Sequence, residues 1–147
     1  MAVRAGKAPS APGLVARCIA RDGWSVYCRR AYAERFGAPK TATDLADHQV
    51  TSLSKEYPRT PPPRLVESIV PPSAILARHH NVPGLFTSLR GGLGVSMMPD
   101  LVASTEPHLH PLLRPPEAES VFDVWLVTTE RFGNEPRIRA QMDFLAV

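Results

Sequence analysis

The stretch from Arg78 to Pro99 constrains the fold more than any other part of the sequence. Asn81 is a good helix N-cap, because its side-chain oxygen can accept a hydrogen bond from an otherwise unpaired amide in the first turn. Val82 and Pro83 would follow at the first two helical positions, where the missing N–H of a proline costs little. The sequence therefore predicts a helix that begins at Asn81, and a helix N-terminus is a potential binding site for an anion.

The second half of this stretch predicts where the helix ends. Leu85, Phe86 and Leu89 recur at helical spacing and give the helix one apolar face. The glycine-rich residues 91–94 end it, and the apolar run Val95–Met98 is typical of a strand that is buried on both faces. The whole stretch thus predicts an approach strand, a short helix, a glycine turn and a buried strand.

The rest of the chain predicts short strands alternating with short helices, which implies an α/β fold with mostly parallel strand pairing. The predicted strands are Ala2–Gly6, Leu14–Ala20, Trp24–Cys28, Val50–Leu53, Leu65–Val70, Ala74–Arg78, Leu109–Leu113 and Val121–Thr129. The predicted helices cover Arg30–Phe36, Thr41–Leu45 and Asp100–Ala103, with a last one near the C-terminus.

Two of these helices carry capping signals. Tyr32 and Phe36 would share one face of the first helix, with Gly37 in the left-handed conformation after its end. Thr41 and Asp44 fit a capping box, in which Asp44 reaches back to the backbone at the start of the helix. Both helices are therefore predicted from local side-chain and backbone chemistry.

The C-terminal region predicts a buried strand and an amphipathic helix. Val121–Thr129 is almost continuously apolar and rich in β-branched residues, as is typical of a strand covered on both faces. Asn134 would cap the last helix, and Ile138, Met142 and Leu145 would form its apolar stripe. These two elements should contribute to one core.

Composition excludes several classes of function. A chain of 147 residues can form one ordinary domain or two small lobes, and no apolar run approaches the length of a membrane span. The net charge is +3, but the arginines and lysines are scattered, so no nucleic-acid-binding arm is predicted. Cys18 and Cys28 lack CxxC spacing; we expect buried or half-buried thiols in a reducing compartment, with a redox pair as the alternative.

Taken together, the ordered motifs resemble the effector-binding domain of LysR-type transcriptional regulators over almost the whole chain. The residues that carry this resemblance are Ala2–Gly6, Gly13–Arg17, Ala31–Tyr32, Phe36–Gly37, Pro39–Thr41, Asp44–His48, Arg90–Val95, Met98–Pro99, Val124–Val127, Pro136–Ala140 and Asp143–Ala146. The resemblance implies an α/β, two-lobed fold like that of type-2 periplasmic binding proteins. A small effector would bind between the lobes.

The resemblance also implies the organisation of the chain. Residues 1–20 and 123–147 would form the first lobe, which would be incomplete, and residues 21–122 the second. The winged helix-turn-helix of the family is absent from the sequence, so we expect Met1 to be an internal methionine of a longer regulator. The family implies a cytoplasmic homo-oligomer that contacts DNA only through that N-terminal domain, with no membrane partner.

Four candidate effector-binding residues belong to the second lobe. Asn81 and Val82 match positions that line the effector cleft in the family, and unpaired amides there could hold a carboxylate. The alternative is a plain N-cap that faces water. Met98 and Pro99 end the buried strand and should face the same cleft, since open α/β sheets bind ligands beyond the carboxyl ends of their strands. For Met98 the alternative is an ordinary core residue.

Three further candidates belong to the first lobe. Arg4, Ala5 and Gly6 match the loop after a first-lobe strand of the family, which also faces the cleft. Arg4 could bind an anion bidentately, and a solvated arginine is the alternative. These seven residues predict a small anionic effector, most simply a carboxylate.

The sequence offers no catalytic or metal-binding constellation, so we predict no cofactor and no enzymatic activity. The glycines at 91–94 follow a helix and precede a strand, which is the reverse of a phosphate-binding loop. Ser96 lacks the second glycine and the following helix of a nucleophile elbow. His79, His80, His108 and His110 lack a third ligand at convincing spacing. A solute-binding protein or an enzyme of the same bilobal fold are the alternatives, because fold alone does not fix function.

Overall fold

The computed structural model describes residues 1–54, 66–114 and 121–146. The chain forms two compact units, one made of Met1–Asp22 with Val121–Val147 and the other of Gly23–Ser120. We call them unit 1 and unit 2. Each unit is built on its own β-sheet.

Unit 1 contains a three-stranded sheet made of β1 (Ala2–Gly6), β2 (Leu14–Asp22) and β8 (Phe122–Thr129). Strand β8 lies in the centre and runs antiparallel to both neighbours, and a bulge interrupts its pairing with β2 between Cys18 and Ala20. Since successive residues of a strand point to opposite faces of the sheet, Trp125 lies on one face and Leu126 on the other. Residues directly opposite each other in an antiparallel pair share a face.

Two helices follow β8, namely α5 (Glu130–Gly133) and α6 (Pro136–Leu145). Helix α6 lies on the Leu126 face of the sheet, because Asp143 accepts a 2.6 Å hydrogen bond from Arg17, which is opposite Leu126 in the register. The predicted N-cap at Asn134 is wrong. Asn134 follows the end of α5, and Glu135 precedes α6 with Pro136 in its first turn.

Unit 2 contains a five-stranded mixed sheet. Its strand order is β5 (Ile75–His79), β4 (Val50–Leu53), β6 (Val95–Pro99), β3 (Trp24–Arg29) and β7 (Leu109–Leu113). Strand β4 is parallel to β5 and β6, whereas β3 is antiparallel to β6 and β7. The expectation of mostly parallel pairing is therefore wrong: most described pairings are antiparallel, since β3 and β8 each run opposite to both of their neighbours.

The helices of unit 2 connect these strands. They are α1 (Arg30–Phe36), α2 (66–69), α3 (Val82–Arg90) and α4 (Asp100–Ala103), with 3₁₀ turns at Thr43–Asp47 and Pro72–Ala74. The strand predicted over Leu65–Val70 is wrong where the structure describes it. Val66 and Val70 are both buried at helical spacing, and the Val70 N–H donates to the Val66 carbonyl at 3.1 Å. Leu65 lies outside the described residues.

The capping box at Thr41 is confirmed. The Asp44 carboxylate accepts 2.9 Å hydrogen bonds from the Lys40 and Thr41 backbone N–H groups, and the Thr41 hydroxyl accepts from the Asp44 N–H at 3.3 Å. These backbone bonds to the ionised carboxylate lower the pKa of Asp44. A signal that involves only five consecutive residues thus fixed this turn correctly.

Three smaller expectations need correction. Tyr32 and Phe36 do pack ring to ring at 4.9 Å, but Tyr32 is buried whereas Phe36 is 56% exposed. Gly37 has a positive φ of 81°, yet its ψ of 167° lies outside the left-handed helical region. Cys28 is buried as expected, and burial raises the pKa of its thiol, but Cys18 is exposed. The two cysteines lie in different units and are both free thiols.

The core of unit 2 lies where α3 packs on the sheet. Leu85 and Leu89 of α3 are fully buried, as are Val95 and Met98 of β6. Gly94 allows β6 to approach the chain before β4, because a Cβ atom at this position would overlap the Gln49 carbonyl. This packing fixes the position of α3 relative to the ends of β4 and β6.

Candidate functional site

The first turn of α3 is capped as predicted. Asn81 has extended backbone geometry, and its side-chain oxygen accepts a 2.8 Å hydrogen bond from the Gly84 N–H. The Leu85 N–H donates to the Asn81 carbonyl, and Pro83 has no N–H. None of the described residues accepts from the Val82 N–H. This helix start therefore presents one backbone donor and the Asn81 side-chain NH₂, which is fewer donors than the sequence suggested.

A histidine–serine hydrogen bond joins α3 to the end of β5. The Ser88 hydroxyl and His79 Nε2 lie 2.7 Å apart, and this contact is partly buried. Gly84 allows the close approach, since a Cβ atom there would lie 3.2 Å from Asn81 Oδ1 and 3.3 Å from His79 Nδ1. His80 lies 3.3 Å from the Ser54 hydroxyl. The sequence pattern indicated these histidines only as possible metal ligands and gave no sign that His79 bonds to α3.

Met98 and Pro99 end β6 at the same end of unit 2 as the start of α3, because β6 returns antiparallel to the helix that precedes it. Met98 is opposite Ser25 and Pro99 is opposite Trp24 in the register with β3. Both residues are buried. Their side chains thus belong to the packed interior of this end of the unit, as the alternative for Met98 anticipated.

Directly after β6, Asp100 organises a polar network that sequence reasoning did not find. Its N–H donates to the Gly23 carbonyl at 2.9 Å, and its carboxylate accepts a 2.8 Å hydrogen bond from the Tyr27 hydroxyl. Arg114 forms an ion pair with the same carboxylate and donates to the Ser25 hydroxyl at 3.2 Å. The partners lie up to 77 residues from Asp100 in the chain, so no local pattern signals them.

In unit 1, Arg4, Ala5 and Gly6 form the end of β1. Arg4 is exposed, lies opposite Trp125 in the register and forms no ion pair with any described residue. The Trp125 indole N–H donates to the Gly6 carbonyl at 3.0 Å, which fixes the end of the strand. The structure thus groups these three residues at one strand end, and groups the other four candidates at one end of unit 2.

Within the described ranges, no cluster of three or more histidine, cysteine or acidic side chains is arranged to hold a metal ion. In the same ranges, none of the helices combines the length and the apolarity needed to cross a membrane. The candidate positions offer hydrogen-bond donors in each unit: the Arg4 guanidinium in unit 1, and the Val82 N–H and the Asn81 side-chain NH₂ in unit 2. Donors of this kind suit a ligand that carries hydrogen-bond acceptors.

Comparison with solved structures shows the same fold. The regulatory domain of CrgA, a LysR-type transcriptional regulator from Neisseria meningitidis, matches with a TM-score of 0.73 at 18% identity over 98% of this chain and 73% of that one. The regulatory domain of AphB from Vibrio vulnificus matches with a TM-score of 0.67 at 18% identity, covering 97% of this chain and 71% of that one. CbnR, a LysR family transcriptional regulator, gives 0.62 at 16% identity, with coverage of 99% and 51%.

Comparison with protein families gives the stronger statement. The LysR substrate binding domain matches residues 1–146, which is nearly the whole chain. A search among curated proteins finds no match. The expected two-lobed α/β fold of the periplasmic-binding-protein type is confirmed by the family match and by the structural neighbours. The chain therefore belongs to the LysR substrate-binding-domain family, which forms the effector-sensing part of LysR-type transcriptional regulators.

Proposed function

We propose that this domain senses a small anionic effector, most simply a carboxylate, and is not itself an enzyme. The observation that carries the proposal is the start of α3, where the Asn81 cap leaves the Val82 N–H without a partner among the described residues. The partial positive charge of a helix N-terminus favours an anion there. The family consists of non-enzymatic regulators, which supports a binding role over catalysis.

Two groups of residues would contact the effector. Asn81 and Val82 would donate hydrogen bonds at the start of α3, with the buried Met98 and Pro99 packing behind them at the same end of unit 2. In unit 1, Arg4 would bind a carboxylate through two N–H groups, with the backbone of Ala5 and Gly6 beside it. We propose that unit 1 and unit 2 are the two lobes of the family, predicted as residues 1–20 with 123–147 and residues 21–122.

The mechanism we propose is a population shift. An effector that binds one arrangement of the domain better than another favours that arrangement by its difference in affinity. In an oligomer, the shift would change how DNA-binding domains attached to the N-terminus are spaced. CbnR has been solved in complex with its target DNA as a full-length protein. We propose that the present domain acts in the same way within a cytoplasmic homo-oligomer.

A thermal-shift screen of aromatic and aliphatic carboxylates, followed by calorimetry of any hit, tests this function. Asn81→Ser keeps a side-chain cap but removes the amide NH₂ donor, and Arg4→Gln removes the cationic fork. Both substitutions should weaken binding, whereas Arg139→Gln, an exposed charge change elsewhere in unit 1, should not. Binding of every hit unchanged by Asn81→Ser and Arg4→Gln would overturn the assigned site. Stabilisation by neutral ligands but by no carboxylate would overturn the anionic effector.

A further inference from the structure

A pocket lies in unit 2 at the opposite end of α3 from Asn81. It has a volume of about 320 Å³ and is lined by Arg29, Thr87, Arg90, Gly91, Glu106 and His108. This volume is within the range of pockets that hold small molecules. None of these residues belongs to the effector site proposed above, so the pocket, which we call the α3 C-terminal pocket, needs its own explanation.

The hydrogen bonds at the end of α3 use only part of the donors in this pocket. The last four carbonyls of the helix are all hydrogen-bonded: Thr87 O accepts from Gly91 N–H at 3.0 Å, Ser88 O from Leu93 at 3.1 Å, Leu89 O from Gly92 at 3.0 Å and Arg90 O from the Arg29 guanidinium at 2.8 Å. Arg29 uses one of its five N–H donors for this bond. Its remaining donors are therefore available to a ligand.

The one acidic side chain in the pocket is already neutralised. Glu106 accepts a 2.7 Å ion-pair hydrogen bond from Arg90 and a 3.3 Å hydrogen bond from the His108 backbone N–H, and its side chain is only 13% exposed. Arg29, by contrast, forms no ion pair with a described carboxylate. With two guanidinium groups and one carboxylate, the pocket has a net positive charge, and Arg29 is the arginine whose charge no described carboxylate offsets.

We propose that the α3 C-terminal pocket is a second ligand site, which binds a small oxyanion such as the phosphate or carboxylate group of a metabolite. Guanidinium groups recognise such groups through paired hydrogen bonds, and Arg29 and Arg90 approach from two different elements, β3 and α3. A small ligand fits better than nucleic acid, because the cationic groups converge in a concavity and do not extend along a surface stripe.

The test is a ¹⁵N–¹H NMR titration of the full chain at constant ionic strength with inorganic phosphate, glycerol phosphate and succinate as separate ligands. Saturable shifts of the Gly91 and Gly92 amides are expected, and the three ligands distinguish phosphate from carboxylate recognition. Arg29→Gln removes the charge and leaves a shorter side chain that still carries an N–H donor. This substitution should raise the Kd by about tenfold, as expected for the loss of a charge-assisted hydrogen bond.

Two further variants keep the test decisive. Arg35→Gln makes the same charge change on the exposed face of α1 and should leave the Kd unchanged. Thr87 lies at an exposed helix position, and Thr87→Glu places a carboxylate in the pocket without removing either arginine. This substitution should abolish binding. It therefore still tests the site if Arg29→Gln destabilises the fold. Linear, non-saturating shifts with all three ligands, or equal weakening by Arg29→Gln and Arg35→Gln, would overturn the proposal. Asn81→Ser should leave this site intact, which separates it from the effector site.

Discussion

The two units of the domain differ in how much of their apolar surface is buried. In unit 2, α3 packs on a five-stranded sheet and buries Leu85 and Leu89 completely. In unit 1, the buried apolar residues among those described are Leu126, Val127 and Met142. Of the eleven large apolar residues that are exposed in the described ranges, seven lie in unit 1, although it is the smaller unit: Met1, Val3, Val15, Val121, Phe132, Phe144 and Leu145.

The difference shows that strand burial depends on the neighbours of a strand more than on its own sequence. Strand β8 is almost continuously apolar and was expected to be covered on both faces, yet only residues 126–128 are buried. Its neighbours β1 and β2 are each paired on one side only among the described strands. Edge strands bury fewer side chains than central strands and offer unpaired backbone groups to other chains.

The largest expected loss of stability comes from removing a core side chain of unit 2. Leu89→Ala should lower the free energy of unfolding by about 3–4 kcal/mol, because a fully buried leucine leaves a cavity. The counterpart in unit 1, Met142→Ala, should cost roughly 2 kcal/mol, since its surroundings are less tightly enclosed. Phe144→Ala, at a position that is 79% exposed, should change the value by less than about 0.5 kcal/mol.

The two tryptophans allow each unit to be followed separately during denaturation. Trp24 lies in unit 2 and Trp125 in unit 1, so Trp125→Phe and Trp24→Phe backgrounds report on one unit each by fluorescence. Leu89→Ala should shift the Trp24 transition in urea, and Met142→Ala the Trp125 transition. Equal costs for Leu89→Ala and Phe144→Ala would show that the contrast in burial has no energetic counterpart.

A pair of glycines tests the same contrast at the backbone. Gly94 in unit 2 and Gly13 in unit 1 both have positive φ, at 88° and 78°, but a Cβ atom would meet the Gln49 carbonyl at Gly94 and open space at Gly13. Gly13→Ala should cost about 1 kcal/mol from backbone strain alone, and Gly94→Ala about 3 kcal/mol because the clash adds to it. Urea denaturation measures both. Similar values would mean that the chain before β4 can move aside.

Two local capping signals in the sequence were reliable, whereas the one at Asn134 and the signals that depend on distant partners were not. The Asn81 cap and the Thr41–Asp44 capping box each involve only a few consecutive residues, and both are confirmed. Strand direction and the Asp100 network depend on residues that are distant in the chain. The helical turn at 66–69 was missed because four apolar or β-branched residues in a short run fit a strand as well as a helix.

The candidate site divides in the same way. The sequence could indicate that Asn81 begins a helix, because a cap acts within one turn. The sequence could not indicate that the Val82 N–H is the donor left unpaired by Pro83 and the cap. Nor could it indicate that His79 forms a hydrogen bond with Ser88, near the other end of the helix. The first depends on which backbone amide bonds to the Asn81 side chain, and the second on how β5 and α3 pack; one sequence specifies neither.

Acid should lower the free energy of unfolding of unit 2, because it protonates the Asp44 carboxylate. Its folded-state pKa is lowered by the Lys40 and Thr41 backbone hydrogen bonds, so the stabilisation is present above the unfolded-state pKa and is lost as the pH falls through the folded-state pKa. Asp44→Asn should therefore reduce stability at neutral pH, and its difference from the parent chain should shrink in acid. Urea midpoints followed by Trp24 fluorescence between neutral and acidic pH measure this effect. A difference that is constant with pH would contradict the capping role of the charge.

The smallest expected effect concerns two buried threonines, one in each unit. The hydroxyl groups of Thr51 on β4 and Thr128 on β8 are buried and have no hydrogen-bond partner among the described residues. Replacing either residue by valine keeps the β-branched shape and removes an unpaired polar group, so each substitution should stabilise its unit by up to about 1 kcal/mol. If the looser packing of unit 1 allows water to reach Thr128, Thr128→Val should gain less than Thr51→Val. A loss of stability in Thr51→Val, measured by urea denaturation, would show that its hydroxyl is hydrogen-bonded after all.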